Sequence, residues 1–246
     1  MDTNTQRRRM YFTHAYGYAA AIAQQLETAK GRAELLQWID ASSIDFQAAV
    51  TKPCKTSVLH GLIHSLAFSD WEHEISHWRL ETLGRFFTDH EETIPEGLRK
   101  DTDRNHEILG NRLEKPLAKL VDGAFFILFG DRNALFLFNQ MVAVRVRELT
   151  PSQIPHMQRA GILPRPSYVP VWLRNAVFHR DKGRCQLCHR DLTRLVNPVA
   201  QAQFDHIWPL ARSGSNDVTN FQLLCSRCNS RKHTRGEASH ECYAYW

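Results

Sequence analysis

The amino-acid sequence predicts an α+β protein in two unequal parts, a mainly helical N-terminal domain and a small C-terminal domain. Three observations lead to this prediction: apolar residues at helical spacing over the first 150 residues, a cluster of prolines after them, and a basic, cysteine-rich end. The 246 residues suffice for one large or two modest domains, and the apolar fraction of 43% is ample for a buried core. A folded globular protein is therefore expected.

The N-terminal domain is expected to contain six helices. The apolar positions of residues 80–87 lie on one face of a helix, which supports the fourth of them. Phe125–Val146 is ambiguous, because the two apolar runs on either side of Gly130–Asn133 also fit a β-hairpin. The expected helices are Tyr18–Lys30, Arg32–Ile39, Thr56–Ala67, Trp71–Thr88, Asp103–Gly130 and Asn133–Glu148.

A proline-rich stretch separates the two domains. Five of the ten prolines fall between residues 151 and 170. Proline lacks a backbone donor and biases the preceding residue away from helix, so an extended connector is predicted. The expected boundaries are a helical domain of unknown role over residues 1–150, a connector over 151–168 and a C-terminal domain over 169–246.

Positive charge is concentrated in the last third of the chain. Residues 1–165 carry 20 Lys and Arg against 20 Asp and Glu, whereas residues 166–246 carry 11 against 6. The net charge of +5 therefore belongs to the C-terminal part. A basic module suits a polyanion such as nucleic acid, although a basic domain is also compatible with mere solubility.

Neither export nor membrane insertion is predicted. The apolar run after the basic N-terminus is interrupted by His14, Tyr16 and Gly17, unlike the core of a signal peptide. The longest apolar stretches, around Gly130, are far too short to span a bilayer. A cytoplasmic location without membrane contact is expected.

Four of the six cysteines form two CxxC pairs, Cys185 with Cys188 and Cys225 with Cys228. Two thiolate pairs on two knuckles are typical of a structural, tetrahedral Zn²⁺ site. Two disulfides or free thiols are the alternatives, but disulfides are disfavoured in a chain that is not exported. The spacing therefore predicts a structural zinc ion.

A second set of polar residues lies between and just after the cysteine pairs. Asp205 and His206 stand in FDHIWPL, Asn220 in DVTNFQLL, and Asn229 directly after the last cysteine. With the CxxC pairs, this order resembles the cysteine-bearing branch of the HNH endonuclease family over residues 169–236, about a quarter of the chain. The resemblance implies a small zinc-stabilised ββα-metal (HNH) domain that hydrolyses phosphodiester bonds with a second divalent ion, Mg²⁺ or Mn²⁺.

The resemblance also implies a role for each polar residue. A neutral imidazole can take a proton from water near neutral pH, so His206 is the expected general base. Asp205 and Asn229 supply hard oxygen ligands to the catalytic ion, and Asn220 holds the His206 ring or its loop through amide hydrogen bonds. Since adjacent strand residues point to opposite faces, a bend after Asp205 is expected to aim both side chains at one site. The family often has His where this chain has Asn229.

The C-terminal domain is expected to begin with a helix and to end with a hairpin and a short helix. The first helix, Val171–Arg180, has Trp172 directed inward and Arg180 outward. The loop Ala211–Asn220 is rich in Gly, Ser and Asn, which suits a flexible connection. The expected strands are Gln201–His206 and Asn220–Leu224, and the closing helix is Ser226–Arg235.

Basic residues follow the second cysteine pair on the closing helix. Arg227, Arg231 and Lys232 are spaced so that they could face a phosphate backbone together. A solvated helix face is the alternative. They are the candidate nucleic-acid-binding residues.

The leading interpretation is a metal-dependent endonuclease. By resemblance its substrate is nucleic acid, with double-stranded DNA favoured, and its setting is restriction or phage defence. A homodimer or a regulatory protein partner is compatible with this interpretation. The alternatives are a non-catalytic zinc-containing module that binds nucleic acid, and a protein-interaction scaffold.

The helical domain holds one further cluster of potential metal ligands. Histidine and carboxylate side chains on neighbouring helices can converge on one metal ion, as in di-iron bundles. Glu74 and His77 form an ExxH step, but no second such step complements it, which favours ordinary polar-face or locally satisfied histidines. The residues concerned are His60, His64, His73, Glu74 and His77.

Overall fold

The computed structural model describes residues 11–98, 100–195 and 201–232, and it has the predicted α+β architecture. Within these residues, seven helices precede the connector, and an eighth helix, a two-stranded antiparallel sheet and a ninth helix follow it. No helix among them has the length and apolar content needed to cross a bilayer. The elements are α1 Ala15–Glu27, α2 Ala29–Asp40, α3 Phe46–Thr51, α4 Val58–Ser76, α5 Leu80–Asp89, α6 Asp103–Gly130, α7 Arg132–Glu148, α8 Val171–Arg180, β1 Ala202–His206, β2 Phe221–Cys225 and α9 Ser226–Lys232.

The predicted helix Trp71–Thr88 was wrong, because the chain breaks between α4 and α5. Trp78 has a positive φ of 51° and its ring stacks on His106 of α6 at a centroid distance of 5.0 Å. A left-handed residue ends an α-helix. The break therefore depends on a contact with a distant helix that the local apolar pattern does not show.

The hairpin alternative for Phe125–Val146 was also wrong, because this segment belongs to α6 and α7. Asp131 separates the two helices, and its carboxylate accepts a hydrogen bond from the Ala134 N–H at 3.0 Å. This N-cap satisfies a backbone donor at the start of α7. α6 packs against α1 and α4 at the centre of the helical domain.

The buried apolar residues form two cores. The first joins α1–α7 and also includes Ile154, Met157 and Leu163 of the connector. The connector is therefore packed onto the helical domain, unlike the extended tether expected from its prolines, because burying each such side chain contributes about 1.5–3 kcal/mol. The second core lies between α8 and β2. Ile207, which follows β1, packs into the first core and so joins the two parts.

The hairpin aligns the C-terminal polar residues. β1 and β2 pair antiparallel with Ala202 opposite Cys225 and His206 opposite Phe221. Both strands lie within one residue of their predicted bounds. α9 follows β2 directly and is described up to Lys232, so the predicted end of this helix at Arg235 lies outside the described residues.

The helix Val171–Arg180 is confirmed as α8, but the predicted directions of two side chains were wrong. Trp172 is 37% exposed, whereas the Arg180 side chain is only 3% exposed. Arg180 lies over the Phe129 ring of α6, 4.7 Å from its centroid, and donates to the Phe221 carbonyl at 2.6 Å. Because Phe129 of α6 packs against it, the Arg180 side chain is buried, although the sequence predicted it at the surface.

Candidate functional site

The four cysteines lie together at one end of the hairpin. Their Sγ atoms are all within 4.8 Å of one another, and those of Cys188 and Cys225 are 3.8 Å apart. Four sulfurs at about 2.3 Å from a tetrahedral Zn²⁺ ion lie about 3.8 Å from each other, whereas a disulfide requires about 2.05 Å. The cluster is therefore compatible with structural zinc and not with paired disulfides.

The chemistry of the thiols points the same way. Burial raises the pKa of the Cys185 thiol and that of the Cys228 thiol, because a thiolate loses its hydration there. A divalent cation among the four sulfurs lowers the thiol pKa again, since its charge stabilises the thiolates that coordinate it. The donor set fits Zn²⁺.

Asp205 lies on β1 and faces α9. Its Oδ2 atom accepts hydrogen bonds from Lys232 Nζ at 2.7 Å and from Gln222 Nε2 at 3.4 Å. Its Oδ1 atom has no hydrogen-bond partner among the described residues. The Asp205 side chain is 12% exposed, so one carboxylate oxygen is accessible to a cation.

Asn229 lies on α9, one turn before Lys232. Residues three apart share a helix face, and Lys232, three residues after Asn229, reaches Asp205. Asn229 is half-buried, and in the part of the chain that the structure describes its side-chain amide makes no hydrogen bond. Its carbonyl oxygen is thus a second candidate ligand beside the Asp205 carboxylate.

His206 ends β1 and is only 5% exposed. Its Nε2 atom lies 3.0 Å from Asn216 Oδ1, and its ring packs on Phe221 at a centroid distance of 4.7 Å. Burial lowers the pKa of His206 to about 4, and the Asn216 hydrogen bond and the Asp205 charge offset only part of this effect. The ring is therefore neutral at pH 7, so one of its two nitrogens carries a lone pair.

The bend expected between Asp205 and His206 is not present. Asp205 pairs with Gln222 and His206 with Phe221, and the next hydrogen bond runs from the Ile207 N–H to the Asn220 carbonyl at 2.6 Å. Along a regular strand, successive side chains leave on opposite faces. The structure therefore directs Asp205 towards Lys232 and His206 towards Asn216.

Asn220 contacts the loop and not the His206 ring. Its Oδ1 atom accepts from the Trp208 N–H at 2.7 Å, and its Nδ2 donates to the carbonyls of Trp208 at 2.9 Å and Ser215 at 2.8 Å. These bonds hold both ends of the segment between the strands. Among the described residues, no hydrogen bond joins the Asn220 side chain to the His206 ring.

The comparisons with known proteins identify this module. Residues 185–235, about a fifth of the chain, match the family model described as HNH endonuclease. The C-terminal module contains an HNH domain. No curated protein and no solved structure matches the chain. The matched range includes all eight residues with predicted metal or catalytic roles, namely Cys185, Cys188, Asp205, His206, Asn220, Cys225, Cys228 and Asn229.

The loop between the strands of the HNH domain is buried, which corrects its predicted flexibility. Residues 213–220 are all buried, and several bond to the helical domain. The Asn216 N–H donates to the Val50 carbonyl at 2.7 Å, and Asp217 Oδ2 accepts from the Val58 N–H at the start of α4 at 2.8 Å. The polar residues that suggested flexibility instead satisfy backbone groups of another domain.

The three predicted phosphate-binding cations do not share one surface. Arg227 and Arg231 are exposed, whereas Lys232 is 1% exposed. Lys232 Nζ donates to Asp205 Oδ2 and to the His206 carbonyl, both at 2.7 Å. One step along a helix turns the side chain by about 100°, which places Lys232 on the inner face. In this arrangement Lys232 holds β1 and is not available to a phosphate backbone.

Sequence reasoning passed over Asp181, which is buried beside Arg180. Its Oδ2 atom accepts from the Leu223 N–H at 2.7 Å, and its Oδ1 accepts from Arg180 Nε at 2.7 Å. Together the pair holds β2 against α8. An Arg-Asp step at a helix end looks like a solvated terminus in sequence, so no local signal marks it.

The potential ligands of the helical domain have separate partners. His60 bonds to Ser57 in a capping box and stacks on Phe125, and His64 lies 3.2 Å from Glu114. Glu74 pairs with Arg79 at 3.0 Å, while His77 Nδ1 lies 3.0 Å from the His73 carbonyl. Over the described ranges, the four cysteines are the only group of three or more potential metal ligands.

Proposed function

We propose that this protein is a metal-dependent endonuclease that hydrolyses phosphodiester bonds in nucleic acid, with double-stranded DNA as the favoured substrate. The observation that carries the proposal lies at the end of β1. There a carboxylate with an open oxygen, on Asp205, directly precedes a histidine that is neutral at pH 7, His206. Both lie within the segment that matches the HNH endonuclease family. Because the two side chains leave β1 on opposite faces, the substrate phosphate would have to lie at the end of the strand, within reach of both.

Each residue has a chemical part in this proposal. Asp205 and Asn229 would hold Mg²⁺ or Mn²⁺, which when bound neutralises charge on the phosphate and the leaving oxygen. His206 takes a proton from the attacking water, whose oxygen forms a bond to phosphorus while the bond to the leaving oxygen breaks. The leaving oxygen takes a proton from solvent. Lys232 and Asn220 keep β1 and the following loop in place.

Cleavage is expected to require a divalent ion other than the zinc. Zinc-loaded protein should nick or linearise supercoiled plasmid with added Mg²⁺ or Mn²⁺, and EDTA should stop the reaction. Restoring Mg²⁺ or Mn²⁺ alone should recover it. Asp205→Asn keeps a side chain of the same shape but removes its charge, and cleavage should fall at least about 100-fold, because a metal ion contributes several kcal/mol.

Absence of cutting would favour the second candidate function, a non-catalytic zinc module that binds nucleic acid. The deciding result is zinc-loaded wild-type protein that shifts DNA or RNA in a gel but cleaves neither with Mg²⁺ nor with Mn²⁺. The observation that favours this second function is the pair of exposed arginines on α9, Arg227 and Arg231, which could bind phosphates without any catalysis. A role in restriction or phage defence, a homodimer and a regulatory partner stay hypotheses.

We expect Arg227 and Arg231 to contact phosphates. They lie four residues apart on the exposed side of α9 and so share one face. Replacing both by alanine should lower the slope of log affinity against log salt by about 2, since each phosphate contact contributes about 0.9. The measurement is fluorescence anisotropy of labelled duplex at several salt concentrations, with EDTA present to prevent cleavage.

The matched control is the double change Arg104→Ala and Arg112→Ala. These two exposed arginines lie on α6 of the helical domain and alter the net charge by the same amount. Their removal should leave the salt slope within about 0.5 of the wild-type value, given about 0.9 per contact. Equal slopes for both double variants would show that general charge, and not the face of α9, governs binding.

A further inference from the structure

Asn216 lies buried between the HNH domain and the helical domain, with 0% of its surface exposed. Its Nδ2 donates to the carbonyl of Thr51 at the end of α3 and to that of Pro164 in the connector, both at 2.9 Å. Its Oδ1 lies 3.0 Å from His206 Nε2. One side chain thus connects the candidate general base to two segments outside the HNH domain.

These contacts determine which nitrogen of His206 carries the proton. A backbone carbonyl only accepts, so the NH₂ group of Asn216 must face Thr51 and Pro164 and its oxygen must face His206. That oxygen also only accepts, so the neutral ring must donate from Nε2–H. Nδ1 is then the nitrogen with the lone pair, and within the described ranges it has no hydrogen-bond partner.

We propose that Asn216 is a positioning residue that holds the His206 ring in the Nε2–H form and so leaves the lone pair on Nδ1. The helical domain and the connector complete the site, because they supply the carbonyls that orient the Asn216 amide. Thr51 and Pro164 lie outside residues 185–235, so the matched segment alone lacks these anchors. The consequence for cleavage rests on the proposed function, whereas the form of the His206 ring does not.

Asn139 provides a matched control for a merely structural role. It is also buried where the two domains meet, and its Nδ2 donates to the carbonyls of Leu135 at 2.8 Å and Thr219 at 3.1 Å. Its Oδ1 accepts from the Thr219 hydroxyl at 3.3 Å. Asn139→Ala therefore removes three side-chain hydrogen bonds, as many as Asn216→Ala, but none that involves His206.

The test combines nitrogen NMR with plasmid cleavage on full-length, zinc-loaded protein. Two-bond ¹H–¹⁵N spectra of ¹⁵N-histidine-labelled protein at pH 7 distinguish the two neutral ring forms, and His206→Gln assigns the signal. Wild type and Asn139→Ala should show the Nε2–H form. In Asn216→Ala the Nδ1–H form should appear, and cleavage should fall about 10–100-fold, the usual loss when an orienting partner is removed. Asn139→Ala should lose comparable thermal stability but stay within about threefold of wild-type cleavage. Residues that share no contact affect the protein independently, so a loss of stability at Asn139 leaves the site of the folded protein unchanged.

Four results would overturn the inference. They are an Nδ1–H or doubly protonated ring in the wild type, an unchanged ring form in Asn216→Ala, equal cleavage by the two alanine variants, and faster cleavage by Asn216→Ala. The last would mean that the helical domain restrains His206 and does not prepare it. If wild-type protein cuts nothing, the proposed function fails, but the wild-type spectrum still decides whether Asn216 sets the ring form.

Discussion

Replacing His206 should lower cleavage by at least about 100-fold while leaving zinc and nucleic acid bound, because general base catalysis contributes roughly 10²–10⁴. The ring is buried, so His206→Ala also leaves a cavity that costs about 2–4 kcal/mol of stability. His206→Gln avoids most of that cost. Its amide can still donate to Asn216 Oδ1, but an amide does not accept a proton from water at neutral pH.

The measurement is the single-turnover rate of supercoiled plasmid cleavage with Mg²⁺ or Mn²⁺, together with zinc content and melting temperature. His179→Gln is the matched control, since His179 is an exposed histidine on α8 outside the site. It should cleave like wild type. Near-normal cleavage by His206→Gln would show that another group removes the proton, and the role assigned to His206 would have to be abandoned.

Cys225→Ser should remove the zinc and unfold the hairpin of the HNH domain. Cys225 ends β2 and directly precedes α9, so this ligand links the strand to the helix that carries Asn229 and Lys232. Small zinc domains depend on their metal, whose binding contributes about 10–16 kcal/mol in zinc-finger peptides. Cleavage should be lost completely, and limited proteolysis should cut within the HNH domain.

The helical domain should survive this change, because most residues of the first core belong to α1–α7 and, among the described residues, only Ile207 of that core comes from the HNH domain. Zinc by elemental analysis should fall from one ion per chain to none, while most of the far-ultraviolet helical signal stays. Cys54→Ser is the control, since Cys54 is half-buried and lies outside the cluster. A Cys225→Ser protein that still binds one zinc and melts like wild type would contradict the assignment of the four cysteines.

Local spacing was sufficient to predict the metal cluster, whereas the hairpin was predicted from the resemblance to the HNH endonuclease family. Within each CxxC pair the short spacing already places both sulfurs within reach of one ion. The fold is needed only to bring the two pairs together. The polar residues of FDHIWPL and the asparagine after the last cysteine could likewise be assigned candidate roles from the sequence. Helical apolar patterns located α8 and most of the helices of the N-terminal domain.

The environment of the site could not be predicted in the same way. Lys232 lies against Asp205, Arg180 lies over the Phe129 ring, and Asn216 bonds to Thr51, a residue 165 positions earlier in the chain. In sequence each of these looks like an ordinary surface or loop residue. Burial of a polar side chain depends on which partners the fold brings to it, and those partners are distant in the chain.

The sequence by itself therefore determined the chemistry available to this protein: four thiols for zinc, and a carboxylate, an imidazole and two amides near the same hairpin. Only the tertiary structure decided the states of these groups. Burial makes His206 neutral at pH 7, an ion pair leaves Asp205 with one open oxygen, and a loop from the HNH domain is enclosed by the helical domain. The physical reason is that residue types and spacing are local properties, whereas hydration, ionisation and hydrogen-bond direction depend on all the atoms that surround a group.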